Sequence, residues 1–367
     1  MPPIRVLVCD DSVVVRRIVT EMIDRDPELE VVGTARDGAD GLRQVEALKP
    51  DIMTLDVEMP IMDGLETLRN LRTVAPRLPV VMFSTLTTSG SAAALDALAL
   101  GAKDYVGKPS NVGRTKDVAS QLEEELIPKL KALVPGKSAP RYTMRAAAAA
   151  PGGLGRRNDE AFGGRTGQID ALLVASSTGG PVALESVFSR LQQPLPVPTV
   201  IVQHIPPVFS EMLCDRLNKV GPTRFVHGAP GIPVEPGHAY LAPGGLHMTV
   251  ERRGAGLVLN TNEGPRVNHC RPAADVLFES AESIWGGNAL CLVLTGMGND
   301  GEEGCRRLAA RGASVIAQDE ASSVVWGMPG AVTTAGLANE VVSLDEIPGR
   351  LDAWFARYGR RAVGSIR

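Results

Sequence analysis

Short apolar runs that end in polar residues recur along the first 134 residues, and stretches with helical spacing lie between them. Ile4–Cys9, Glu30–Ala35, Ile52–Leu55, Val80–Phe83 and Tyr105–Val106 read as buried strands. Val13–Ile23, Leu65–Leu71 and Ala92–Leu100 carry the three-to-four-residue apolar period of helices. Five such units predict a parallel α/β sheet covered by helices on both faces. That alternation leaves little room for an all-helical or all-β fold.

The pattern stops near Val134 and resumes near Ile169. Between them, residues 135–167 hold Pro-Gly-Lys-Ser-Ala-Pro, five consecutive alanines and Pro-Gly-Gly-Leu-Gly, with six basic residues against two acidic ones. A stretch so poor in apolar side chains cannot bury a core and reads as a flexible linker. The expected organisation is a first domain over 1–134, a linker over 135–167, a second domain over 168–358 and a basic tail over 359–367.

Composition excludes several function classes. The chain of 367 residues has a net charge of −4 and only 4% aromatic residues. This argues against a broadly basic nucleic-acid surface and against stacking platforms for bases. No apolar run approaches the roughly 18 residues of a membrane span, and the first residues lead straight into a strand without a signal-peptide profile. The expectation is a soluble, cytoplasmic protein with no direct membrane insertion and no nucleic-acid partner, a monomer in the simplest case. Cys9, Cys214, Cys270, Cys291 and Cys305 are scattered and odd in number, with no Cys-x-x-Cys pair. They suggest neither a disulfide framework nor a cysteine zinc site.

In a parallel sheet the carboxyl ends of the strands gather ligands. Asp10 and Asp11 follow the first strand, Asp56 the third, Ser84 the fourth and Lys108 the fifth. Each alone is compatible with ordinary turn chemistry. Together they place three acids, a hydroxyl and a lysine on one sheet edge, where carboxylates that close favour a hard divalent cation such as Mg²⁺.

The second domain repeats the device. Ala171–Ala175 leads to Ser176-Ser177-Thr178-Gly179-Gly180, Thr199–Gln203 leads to His204, and Ala289–Thr295 leads to Gly296-Met297-Gly298-Asn299-Asp300. A serine, a histidine and an aspartate at neighbouring strand ends have the composition of a Ser-His-Asp hydrolytic site. Ala175-x-Ser177-x-Gly179 has the small flanking residues of a nucleophile turn, Pro181 suits a first helical turn, and backbone N–H groups there could hold an oxyanion. Ser177 or Thr178 taken singly reads more readily as a helix cap. His227, His238, His247 and His269 fall in polar or Gly/Pro-rich stretches resembling hairpins and loops, with a surface role as the default. A competing pattern overlaps Asp300. Gly296-x-Gly298-x-x-Gly301, with Asp319 further on, has the form of a dinucleotide fingerprint. Asp300, Glu302 and Glu303 would repel a pyrophosphate from that helix start.

Val-Cys-Asp10-Asp11-Ser, Leu-Asp56-Val-Glu-Met-Pro-Ile-Met-Asp-Gly, Phe-Ser84-Thr and Asp-Tyr105-Val-Gly-Lys108-Pro109 resemble a response-regulator receiver domain. The resemblance implies a flavodoxin-like (βα)5 fold, with Asp56 as phosphoacceptor and Mg²⁺ held by Asp10, Asp11 and Asp56. It also implies Lys108 as partner of the phosphoryl group, with Ser84 and Tyr105 as switch residues. Ser177-Thr-Gly-Gly, Gln203-His204-Ile-Pro-Pro-Val-Phe-Ser, Tyr240-Leu-Ala-Pro-Gly-Gly-x-His-Met, Arg271-Pro-Ala-Ala-Asp-Val-Leu-Phe, Gly296-Met297-Gly-Asn-Asp300-Gly and Trp326-Gly-Met-Pro-Gly-Ala resemble chemotaxis protein-glutamate methylesterases. This implies a doubly wound, mostly parallel α/β domain with a β-hairpin insertion. It would demethylate glutamate γ-methyl esters, and deamidate specific glutamines, on methyl-accepting chemoreceptors, without a cofactor for the ester chemistry. The roles implied are Ser177 as nucleophile, His204 as base, Asp300 as its support and the Met297 N–H as an oxyanion-hole donor. A chemotaxis histidine kinase would phosphorylate the receiver, which otherwise restricts access to the catalytic face, and receptor arrays would recruit the protein to the membrane. Two adjacent serines precede Thr178 where many members carry alanine first, and alignment on Thr-Gly-Gly selects Ser177.

Overall fold

The computed structural model describes residues 2–85, 87–108, 116–134, 136 and 167–359. The expected linker and basic tail lie outside the described residues, apart from Gly136, Gly167 and Gly359. The chain divides into two compact units, Met1–Gly152 and Gly153–Arg367. Among the described residues no helix is long and apolar enough to cross a membrane.

The first unit is a five-fold alternation: β1 (Ile4–Cys9), α1 (Val13–Ile23), β2 (Leu29–Ala35), α2 (Gly38–Leu48), β3 (Ile52–Asp56), α3 (Gly64–Val74), β4 (Val80–Thr85), α4 (Thr88–Ala99), β5 (Asp104–Lys108) and α5 (Lys116–Ala132). Its parallel sheet runs β2-β1-β3-β4-β5. The order reverses between β1 and β3, so the crevice that ligands use in such sheets opens above Asp10 and Asp56. Apolar strands make the centre: β3 is buried at every position, and Ile4, Leu7, Ile52, Met53 and Leu55 are fully enclosed. Helix starts follow local chemistry, since Ser12, Asp37 and Asp63 accept backbone N–H groups at the heads of α1, α2 and α3. Gly64 begins α3 because a Cβ there would come within 2.1 Å of the Asp56 carbonyl oxygen.

The second unit continues with β6 (Ala171–Ser176), α6 (Gly180–Ser189), β7 (Thr199–Gln203), α7 (Pro207–Leu217), β8 (Arg224–His227), β9 (His238–Leu241), β10 (His247–Arg253), β11 (Gly256–Asn262), α8 (Ala274–Ile284), β12 (Ala289–Val293), α9 (Glu302–Ala310), β13 (Ser314–Gln318), α10 (Met328–Thr334), β14 (Glu340–Val342) and α11 (Ile347–Tyr358). Seven parallel strands run β14-β13-β12-β6-β7-β9-β8, and β10 and β11 form a separate antiparallel hairpin. Successive crossovers place β7 on one side of β6 and β12 on the other. The carboxyl ends of β12, β6 and β7 thus lie side by side. The scarce aromatics are spent on this core, where Trp354, Tyr240, Phe188, Phe209 and Phe278 are fully buried.

Several boundaries differ from those read in the sequence. Ser84 and Lys108 lie within β4 and β5 rather than after them, because the ladder continues through Ser84↔Gly107 and Thr85↔Lys108. Backbone hydrogen bonds extend a strand regardless of side-chain polarity. β12 stops at Val293, short of Thr295. The surface role expected of His247 is also corrected. It is 2% exposed, and its ring is fixed between the Pro265 carbonyl and the Ala273 N–H.

Candidate active site and carboxylate cluster

In the first unit Lys108 Nζ lies 2.7 Å from Asp10 Oδ2 and 2.6 Å from Asp56 Oδ2. Both carboxylates are buried. Asp10 is steadied by the Ser12 N–H at 2.9 Å, and Asp56 accepts from the Glu58 N–H. Burial pushes the Asp56 carboxyl up to about 6, Lys108 opposes that rise, and the Asp10 charge adds to it. Asp11 is exposed at the rim. One oxygen from each of Asp10, Asp11 and Asp56 can be chosen so that all three lie within 4.8 Å of one another. An all-oxygen donor set with an exposed side suits Mg²⁺, which keeps several waters; the residues present fit that ion.

The two expected switch residues lie at this end of the sheet. The buried Ser84 hydroxyl donates to the Gly90 carbonyl at 2.8 Å. Tyr105 is 4% exposed, its carbonyl accepts from Lys129 Nζ at 2.7 Å, and that ammonium stands 5.3 Å from the ring centroid.

In the second unit β6 turns sharply into α6. The Gly180 N–H donates to the Ser177 carbonyl at 2.7 Å, and Gly179 adopts a φ of +78°. Ser177 itself is tied to the segment just after β12 through its N–H to the Thr295 carbonyl at 3.0 Å. Gln203 binds the neighbouring strand end, donating to the carbonyls of Ser177 at 2.9 Å and His204 at 3.0 Å. Its Oε1 accepts from the Ser176 hydroxyl at 2.7 Å. Ser176 is therefore a fully buried structural hydroxyl, whereas Ser177 is half-buried. Among the described residues no group engages the Ser177 hydroxyl or the Met297 N–H.

His204 Nε2 and Asp300 Oδ2 are 2.7 Å apart. Asp300 also accepts from the backbone N–H groups of Ala274 and Asp275 and from Asn268 Nδ2. Burial raises its carboxyl, but these donors and the imidazolium outweigh burial and hold it below the ordinary carboxylate range. Burial likewise opposes charge on His204; hydrogen bonds to Asp300 and Cys270 overcome it and hold the imidazolium up to about 10. Nε2 belongs to Asp300, so the ring nitrogen left for Ser177 is Nδ1, which here faces Cys270 Sγ at 3.5 Å.

The structure thus gathers Ser177, His204, Asp300 and Met297 at one sheet edge, with the His204–Asp300 bond made and the Ser177–His204 bond unmade. Reacting hydrogen bonds of this kind often tighten only when substrate binds. Gln203, Asn268, Cys270, Asp275 and Thr295 were given no role in the sequence reading. The dinucleotide pattern loses its basis, because the Gly301 and Gly304 N–H groups at the start of α9 both donate to Asp275 Oδ1. A carboxylate already occupies the place a pyrophosphate would take.

Comparison with known proteins agrees with this division. Residues 6–119 match the response regulator receiver domain model and residues 172–351 the CheB methylesterase model. A protein-glutamate methylesterase/protein-glutamine glutaminase of Nocardioides sp. is 46% identical over 95% of this chain and 94% of its own length. One from Trichodesmium erythraeum is 40% identical over 95% and 97%. The solved CheB methylesterase catalytic domain of Thermotoga maritima is 33% identical, with a TM-score of 0.49 over 51% of this chain and 98% of that one. With one relative matching nearly end to end at 46% identity, the chain belongs to the protein-glutamate methylesterase/protein-glutamine glutaminase family, a CheB methylesterase domain preceded by a response regulator receiver domain.

Proposed function

We propose that this hydrolase removes methyl groups from glutamate γ-methyl esters of chemoreceptors, and deamidates receptor glutamines, under control of its receiver. The observation that carries the reading is the His204–Asp300 bond of 2.7 Å beside a Ser177 hydroxyl that no group engages among the described residues, at the adjoining strand end. Ser177 Oγ attacks the ester carbonyl while His204, in the neutral form that keeps Nε2–H on Asp300 and leaves Nδ1 unprotonated, takes its proton at Nδ1. Negative charge gathers on the carbonyl oxygen, where the Met297 N–H is available to donate. Asp300 stabilises the imidazolium through Nε2 and keeps the ring oriented. The imidazolium then returns the proton to departing methoxide, and methanol leaves. Water attacks the acyl-enzyme by the same proton route and frees the receptor glutamate. A glutamine side chain would follow the same path with ammonia as the leaving group.

In the receiver, the Asp56 carboxylate is the nucleophile toward phosphorus, with a chemotaxis histidine kinase as donor. Asp10, Asp11 and Asp56 would hold Mg²⁺, which supplies charge neutralisation for the phosphoryl oxygens when bound. Lys108, which now bridges Asp10 and Asp56, would pair with the phosphoryl group. Ser84 would then turn its hydroxyl from Gly90 toward that group, and Tyr105 would follow. Phosphorylation relieves inhibition of the catalytic unit by shifting the population of receiver states. The proposed boundaries remain 1–134, 135–167, 168–358 and 359–367.

Methanol release from methylated receptor membranes tests both halves. A small-molecule phosphodonor should raise wild-type activity and leave Asp56→Asn at its basal rate. An Asp56→Asn variant that responds as wild type does would sink the regulatory half.

Gly296→Ala probes the positioning of the serine. An added Cβ would lie 2.4 Å from Met328 Sδ, 2.9 Å from Ser177 Cβ and 3.0 Å from Ser177 N. The nucleophile must move by a few tenths of an ångström, and because a misplacement of about 1 Å can lower a rate by about 10²-fold, a several-fold loss is expected. Circular dichroism should stay native. A fully active Gly296→Ala would show that the position of Ser177 does not limit the reaction.

A further inference from the structure

We propose that Cys270 Sγ and His204 Nδ1 form a binding site for a soft divalent cation of the zinc class, and that a bound cation silences the hydrolase. The thiol and the ring nitrogen are 3.5 Å apart. Zinc bonds of about 2.3 Å to sulfur and about 2.0–2.1 Å to nitrogen, at a tetrahedral angle, separate their donor atoms by about 3.5 Å. The pair is therefore already spaced as ligands of one ion.

The other side of the imidazole is prepared in the same sense. Metal-bound histidines characteristically donate their second ring N–H to a carboxylate, which fixes the ring and strengthens the donor. His204 Nε2 does this to Asp300 at 2.7 Å. Asp300 is an orienting group here and not a ligand, because the Asn268 amide and the Ala274 and Asp275 N–H groups occupy its oxygens. Cys270 and His204 are both only partly buried, so the ion has an entry route and waters can complete its coordination.

Binding needs no redox partner. The Cys270 thiol and the His204 Nδ1–H each give a proton to solvent, and the thiolate and the freed Nδ1 lone pair bond to the cation. Nδ1 is the nitrogen that must accept the Ser177 proton, so a metal there removes the base. The donor types also sort ions within the chain. Thiolate and imidazole favour zinc over Mg²⁺, whereas the Asp10, Asp11 and Asp56 oxygens favour Mg²⁺. Scattered cysteines gave no such signal in the sequence, since the two donors lie 66 residues apart.

The inhibitory consequence rests on the esterase reading; the site itself does not. Zinc binding to the full-length protein, measured by competition with a chromophoric chelator in excess Mg²⁺, should give one more equivalent for wild type than for Cys270→Ala or Cys270→Ser. Cadmium should produce a thiolate charge-transfer band in the ultraviolet with wild type and none with either variant. Zinc should inhibit methanol release reversibly, and Cys270→Ala should need at least about tenfold more zinc for half-inhibition of its own zinc-free rate. Equal stoichiometry in wild type and both variants, or no cadmium band in wild type, overturns the site. A protein that shows the band yet releases no methanol from any receptor preparation supports the site and rejects the esterase reading.

Discussion

Ser177→Ala is expected to reduce methanol release by at least about 10⁴-fold, while the protein keeps its fold. Loss of a serine nucleophile removes the covalent route, and what survives in such sites comes from the oxyanion hole and substrate binding. The fold should notice little, because the structural bonds of Ser177 are made by its backbone: its N–H to Thr295, and its carbonyl from Gly180 and Gln203. Substitutions that break no packing or buried polar contact ordinarily change stability by no more than about 0.5 kcal/mol. Ser176→Ala should show the opposite pattern. Its buried hydroxyl donates to Gln203 Oε1, and removing it strands that acceptor, at a cost of about 1–3 kcal/mol. Activity per folded molecule should remain measurable. Denaturant midpoints and methanol release on both variants decide the matter: a dead Ser176→Ala beside an active Ser177→Ala would exchange the roles of the two serines.

The same pair of serines shows what a sequence of this kind discloses. Both follow one apolar strand, and nothing in residues 171–180 says which hydroxyl points inward. The answer comes from Gln203, which sits across the sheet on β7 and reaches Ser176, Ser177 and His204 with one amide. Strand ends were legible because apolar runs terminate in chemistry, so Asp10, Asp56, Ser177, His204 and Asp300 could be read singly. Their partners were not, since Asn268 and Cys270 come from an irregular segment before α8 with no period to betray its path, and Asp275 sits in the first turn of α8, where an acidic residue reads as ordinary helix chemistry. The strand bounds at Ser84 and Lys108 were short for a related reason: side-chain polarity marks burial, and the backbone ladder does not follow it. His247 was misread because a polar, glycine-rich neighbourhood looks like surface. It opens the first strand of a hairpin that packs on α8, and two backbone groups satisfy its ring.

Asp300→Asn should lower the rate by about 10⁴-fold, the scale seen when an isosteric amide replaces the aspartate of a Ser-His-Asp site. Every group around Asp300 is a donor: His204 Nε2 and the Ala274 N–H on Oδ2, Asn268 Nδ2 and the Asp275 N–H on Oδ1. An asparagine must turn its own N–H₂ toward one of these pairs. Facing His204, it drives the ring to the tautomer protonated on Nδ1, the nitrogen that should accept the serine proton. Facing Asn268, it restores the tautomer but supplies no charge to hold the imidazolium. Both arrangements remove the attraction that keeps His204 protonated up to about 10. The ring should therefore release its proton at lower pH, falling toward the ordinary histidine value of about 6.5. The sign follows directly: an imidazolium that loses its anion is less stable, so its deprotonation midpoint drops. Methanol release measured across pH reads the first effect, and a ring-proton titration of His204 in the two proteins reads the second. A variant within tenfold of wild type, or one whose His204 midpoint does not fall, would mean that Asp300 neither supports nor orients the base.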